Sequence, residues 1–169
     1  MTYKQSPKGK IFSRVPVSKN HSADNHAQMS EPFVLICPQC GLIKEQKHWF
    51  HDAKFKQSKN KVYKEELCPG CVAVNNKWAV GEIVLKHSIV KLVPEQIEAF
   101  LYTQEEKHRY DDPKNRIITI KKQSDQWIVY TTSTFLARQI AEALHGSYQG
   151  KTKVSFSKDH QLVRVVWDI

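Results

Sequence analysis

The chain of 169 residues lacks any apolar run approaching the ~18 consecutive residues of a membrane-spanning helix. Its first twenty residues, MTYKQSPKGKIFSRVPVSKN, have no apolar stretch of the kind that directs secretion, so a cytoplasmic location is expected. Cysteine is scarce, four in all, and every one lies between positions 37 and 71. Without an export signal, four thiols read as reduced side chains rather than as a disulfide framework. Glycine is also scarce, at six residues, which leaves no room for a glycine-rich low-complexity segment. Catalytic signatures are missing: there is no H-E-x-x-H and no G-x-S-x-G. The eight histidines are scattered, and Asp111-Asp112 stands before a proline, where carboxylates cap turns.

Negative charge is the last shortage. Asp and Glu number 17 against 26 Lys and Arg, a formal net charge of +9. The imbalance is concentrated: residues 1–80 hold 13 basic and 6 acidic residues, whereas residues 81–169 hold 13 and 11. Asymmetry of this kind points to a polyanionic partner for the basic half, although a solvated basic surface has the same composition. Residues 1–31 are rich in Lys, Ser, Asn, His and Pro and poor in large apolar groups, the composition of a flexible basic arm.

The cysteines fall in two matched pairs, Cys37-Pro-Gln-Cys40 and Cys68-Pro-Gly-Cys71. A tight turn of that length aims two sulfurs at one point, and two such turns close a tetrahedron of thiolates. Gly41 after the first pair and Gly70 within the second are expected to supply positive-φ turn positions. Zinc (Zn2+) is the expected ion. Iron also accepts four thiolates, but nothing else in the sequence points to electron transfer. A thioredoxin-like redox pair accounts for one C-x-x-C and not for two.

Between the pairs lie seven lysines: Lys44, Lys47, Lys54, Lys56, Lys59, Lys61 and Lys64. Trp49 and Phe55 stand among them, with His48, Phe50, His51 and Tyr63. Lysines neutralise phosphates and aromatic rings stack on bases, so these lysines with Trp49 and Phe55 form a candidate RNA-binding set. The competing reading for Trp49, Phe50 and Phe55 is a small core over the metal site. His48 and His51 are alternative ligands, but four sulfurs already complete the coordination.

From Gly81 the pattern changes. GEIVLKHSIVKLV reads as one strand or two. PEQIEAFLYTQEEKHRY reads as a helix with Pro94 at its first position and Ile97, Phe100 and Leu101 on one face. RIITIKK and QWIVYTT form a hairpin. STFLARQIAEALH is a second helix, capped by Ser or Thr, with Leu136, Ile140, Ala141 and Leu144 aligned and Gly146 ending it. KTKVSFS and LVRVVW complete the set. The order β-α-β-β-α-β-β predicts a ferredoxin-like antiparallel α+β sandwich with both helices on one face. GSYQGKT imitates a phosphate-binding loop, but it is one residue short and lies between a helix and a strand, the reverse of the order such a loop needs.

CPQCG, HWF, LCPGC and TTSTFLARQIAEALHGSYQGK…LVRVVW together resemble a family of short, largely uncharacterised bacterial zinc-ribbon proteins. The likeness spans about residues 33–169 and is most specific at LARQIAEALHGSYQG. More distantly, the arrangement is similar to the nuclear export adaptor of the large ribosomal subunit, a family with more cysteine pairs than are present here. The resemblance implies an RNA or ribosome partner and transfers no catalytic residue.

The combined expectation has three parts: a flexible arm over 1–31, a four-cysteine zinc ribbon with a lysine-rich insert over 32–80, and an α+β sandwich over 81–169. The expected function is non-enzymatic binding of RNA, above all ribosomal RNA, or of the ribosome, as a stress- or hibernation-type factor. The alternative is a protein-interaction adaptor for an acidic partner such as a polymerase subunit. No membrane and no small-molecule substrate is expected.

Overall fold

The computed structural model describes residues 33–45, 47–52, 54–86, 90–91, 93–148, 150–158 and 161–168. The N-terminal arm lies outside them, as do residues 87–89 and 92 of the segment read as one or two strands; of that segment Gly81–Lys86 is a strand, and 90–91 are helical, which corrects the second strand.

Two sheets follow one another along the chain. The first is built around the cysteines, from β1 (Phe33–Ile36), β2 (Ile43–Glu45), β3 (His48–Phe50) and β4 (Val62–Glu65), in the order β3-β2-β1-β4. β1, β2 and β3 form an antiparallel meander, with Leu35 opposite Lys44 and Ile43 opposite Phe50. β4 returns alongside β1 in parallel register, Phe33 with Val62 through Ile36 with Glu65. The lysine-rich insert is therefore tied at both ends to the strand that leads into the first cysteine pair. A short helix, α1 (Pro69–Asn75), follows.

The second sheet has the order β6-β7-β5-β9-β8, from β5 (Gly81–Lys86), β6 (Ile117–Lys122), β7 (Gln126–Thr131), β8 (Lys151–Phe156) and β9 (Val163–Asp168). Two helices, α2 (Pro94–Arg109) and α3 (Thr134–Ser147), connect it. Pro94 opens α2, where its missing N–H costs nothing. The Ser133 hydroxyl caps α3 by accepting from the Leu136 amide. Alternate strand residues point to one face. Ile83, Leu85, Trp127, Val129, Val163, Val165 and Trp167 form a layer there against Ile97 and Leu101 of α2 and Leu136, Ile140, Ala141 and Leu144 of α3. The two helices thus share one side of the sheet, and the fold is α+β.

The fully antiparallel sheet expected from the element order is corrected at one pair: β9 runs parallel to β5, Gly81 with Val163 through Leu85 with Trp167. The last hairpin places its second strand beside β5 and its first at the edge. Composition explains the choice. β9 alternates buried Val163, Val165 and Trp167 and suits an interior position, whereas β8 exposes Lys151 and Lys153, which suit an edge. The helix boundary at Gly146 is also corrected. α3 runs through it to Ser147, and the Tyr148 amide closes the helix on the Leu144 carbonyl. Gly150 has a different use: a Cβ there would stand 2.6 Å from the Trp167 ring.

Candidate metal centre

The two cysteine pairs reach the site by different local geometries. In the first, the Cys37 amide bonds to the Leu42 carbonyl and the Gly41 amide to the Cys37 carbonyl, closing a hairpin between β1 and β2. Gly41 has φ +71°, the left-handed conformation that glycine adopts without strain. The second pair is not a turn of this kind. Cys68 is the N-cap of α1, and its sulfur accepts from the Cys71 amide at 3.4 Å. Gly70 is helical rather than at positive φ, which corrects the reading made for it. Its lack of a side chain serves packing, since a Cβ would fall 1.8 Å from the Pro113 carbonyl oxygen.

The sulfurs of Cys37, Cys40, Cys68 and Cys71 all lie within 4.8 Å of one another. Cys40 and Cys68 are 3.6 Å apart, and none of the four is in a disulfide. Cys37, Cys68 and Cys71 are buried and Cys40 is half-buried. Leu42, Leu67 and Trp49 pack on the cluster. Four cysteines so placed can hold a metal ion. Among the described residues no other group of three or more Cys, His, Asp or Glu is gathered in this way.

The four thiols sit in unlike electrostatic surroundings. Burial pushes the Cys37 thiol up, but amides of Cys68, Cys40 and Gln39 directed at its sulfur outweigh burial and bring it down to about 7. Burial and the neighbouring Cys40 sulfur push Cys68 up to about 11. Burial, then the Cys40 and Cys68 sulfurs, push Cys71 up as well. One thiolate forms readily, and further negative charge at the same point requires a compensating cation. Part of that compensation is built in. Arg116 donates from Nη1 toward the Cys71 sulfur at 3.6 Å and from Nε to Glu105 at 2.7 Å. Burial alone would lower the Arg116 pKa, but Glu105 and the nearby sulfurs raise it on balance. Sequence reasoning missed Arg116. It lies 45 positions from Cys71, at the head of RIITIKK beside the Asp-Asp-Pro-Lys-Asn turn, where the sequence signals a turn and a strand but no contact with sulfur.

The candidate RNA-binding residues divide. Lys47, Lys54, Lys56 and Lys59 are exposed, and among the described residues none is in an ion pair. Lys61 is exposed but bonded to Glu45 at 2.8 Å. Lys64 lies over the Phe33 ring at 3.9 Å. Lys44 is half-buried, 4.0 Å from Glu66 and 6.0 Å from the Trp49 ring. Trp49 covers the cysteine cluster, and Phe55 packs edge-on against Tyr63 at 6.0 Å. Both rings therefore take part in local packing. His48 and His51 stand outside the sulfur cluster, and the His51 ring lies 4.5 Å from that of Tyr110. No described helix is long and apolar enough to cross a membrane. Comparison with protein-family models, with curated proteins and with solved structures found no match.

Proposed function

We propose that the four cysteines hold a structural zinc ion and that the zinc-pinned lysine insert binds RNA, with the ribosome as the particle on which it acts. Zinc suits the donor set. Zn–S bonds of about 2.3 Å put tetrahedral sulfurs about 3.8 Å apart, a spacing compatible with the compact cluster and its 3.6 Å contact. Four protein ligands leave no open coordination position, so the ion's role in this reading is structural, in keeping with a protein that binds rather than catalyses. The split β-α-β arrangement of β5, α2 and β6 with β7 between them supports kinship with ferredoxin-like sandwiches, with β9 inserted between β5 and the edge strand β8.

One observation carries the RNA reading. Lys47, Lys54, Lys56 and Lys59 are exposed and outside ion pairs on a segment whose ends are fixed by the β1–β4 ladder and the cysteine cluster. Cations held in place in advance lose less conformational entropy on meeting phosphates than a free basic tail does. The net charge of +9 and the resemblance to zinc-ribbon families point the same way. Sedimentation of the tagged protein through sucrose gradients, from growing and from starved cells, tests the reading. Co-migration with ribosomal particles that is lost at high salt supports it. Migration as free protein under both conditions, with no affinity for purified ribosomal RNA, refutes it.

A further inference from the structure

The second sheet ends at β8, whose one neighbour among the described residues is β9. α3 overhangs this edge. Between helix and strand lies an open groove of about 480 Å³, lined among others by Arg138, Glu142, His145, Thr152, Val154 and Phe156. Register explains its apolar floor. Thr152, Val154 and Phe156 stand opposite Trp167, Val165 and Val163, which belong to the core layer beneath the helices. That layer therefore continues across β8 and out into solvent, where Val154 and Phe156 remain 43% and 42% exposed. The Thr152 hydroxyl is buried there without a hydrogen-bond partner among the described residues. The opposite side of the strand carries exposed Lys151 and Lys153.

We propose that the β8 edge docks an extended acidic segment of a partner protein, in which apolar residues alternate with Asp or Glu, and which joins the sheet as a further strand. An added strand hydrogen-bonds along an edge and sends alternate side chains to opposite faces. On the helix side its apolar residues enter the groove beside Val154 and Phe156. On the other side its carboxylates meet Lys151 and Lys153, and opposite charges across a strand pair are stabilising. Charge also argues against a second copy as the occupant. Two copies would each bring a net +9. Antiparallel self-pairing centred on Val154 makes the two Lys153 side chains diagonal neighbours, and centring it on Lys153 sets them face to face. This docking is independent of what the ribbon binds.

The test is a titration of the ¹⁵N-labelled, zinc-loaded full chain with a short synthetic peptide alternating Glu and Val, followed by amide NMR. Shifts confined to β8 and the facing side of α3, with slowed amide exchange along β8, are expected. Lys151→Glu with Lys153→Glu should weaken binding by about tenfold, because two attractive cross-strand pairs become repulsive. The unbound spectrum of that variant reports whether it is folded, and a Lys-Val peptide on the wild-type chain makes the same charge test without a mutation. Absence of shifts at millimolar Glu-Val peptide overturns the proposal, as does equal binding of the Lys-Val peptide. A concentration-dependent dimer with β8 amides already protected overturns it too, because the groove would then belong to a second copy.

Discussion

Arg116 Nη1 lies 3.6 Å from the Cys71 sulfur while its Nε lies 2.7 Å from Glu105, so one guanidinium joins the cysteine cluster to α2. The pair is well shielded, with side chains 16% and 11% exposed. Its position makes Arg116 both a partner of the candidate metal ligands and a structural tie between the two sheets' modules.

Arg116→Met should act on both roles. Removing one member of a buried ion pair costs about 3–5 kcal/mol, because Glu105 is left buried without its cation. Losing a group that supports a metal ligand typically lowers metal affinity by about 10–100-fold. The double variant Arg116→Met with Glu105→Leu separates the effects. It should regain most of the thermal stability but not the zinc affinity, as read by competition with a chromogenic chelator. Full recovery of both would reduce Arg116 to a packing residue.

The metal itself is tested by Cys68→Ser. Structural zinc contributes on the order of 10–16 kcal/mol in small zinc-dependent folds, more than the few residues packed on this cluster can replace. The variant should carry no zinc by elemental analysis and should be cut by protease within residues 33–80. An unchanged digestion pattern would show that the ribbon stands without metal.

Residues 81–169 should fold alone, because the core layer between sheet and helices contains none of the cysteines. Within that fragment Ile140→Ala should cost about 2–5 kcal/mol, since Ile140 is fully buried. The fragment does lose contacts with the first module, among them the Arg116–Cys71 hydrogen bond and the seating of Gly70 against Pro113. Gly70→Ala in the full chain should therefore disturb the seam by about 1–3 kcal/mol, visible as faster amide exchange in α1, while the fragment has no equivalent. A disordered fragment would mean that the two modules share one core.

How much of this was legible in the sequence depends on whether the signal was local. Strands and helices after Gly81 follow from alternation, Pro94 and the Ser133 cap, all visible within a few residues. The cysteine cluster was equally legible, because C-x-x-C spacing constrains geometry by itself. Apart from the helix end at Gly146 and the second strand before Pro94, the misreadings involve partners far along the chain. Gly70 looks like a turn glycine until Pro113, 43 positions later, is set against it. β9 displaces β8 from the place beside β5 because of how each fits the layer under α3, which element order does not encode. Arg116 gives no hint of its metal-site role, since an arginine beside a turn is ordinary.

Alkaline stability offers a check on the face of the sheet away from the helices. Tyr130 is pushed above its ordinary value, near 10, first by burial and then by Glu82 beside it. A raised folded-state pKa contributes stability that is present below the unfolded value and is lost as pH rises through the folded one. The stability difference between wild type and Tyr130→Phe should thus be flat below about pH 10 and should shift in favour of phenylalanine above it. Denaturant melts of the zinc-loaded proteins from neutral to strongly alkaline pH measure it. A difference that does not change with pH would mean the phenol ionises equally well folded and unfolded.

The lysine insert supplies the sharpest test of RNA binding, and the structure changes which residues to alter. Lys61 is engaged with Glu45 and Lys64 with Phe33, so neither isolates a phosphate contact. Lys47, Lys54, Lys56 and Lys59 are the better set, because replacing them leaves no described carboxylate unpaired. If all four touch phosphates of single-stranded RNA, their contribution to the salt dependence is about −0.7 each, or roughly 3 units of log K per decade of salt. Changing the four to Gln should remove that slope while zinc content and melting temperature stay at wild-type values. Affinity should fall by similar factors for unrelated RNA sequences, because phosphate contacts carry no base information. Binding to ribosomal RNA measured across a range of salt concentrations gives the answer. An unchanged slope in the quadruple variant would assign the insert to solvent and leave the RNA contact to another part of the chain.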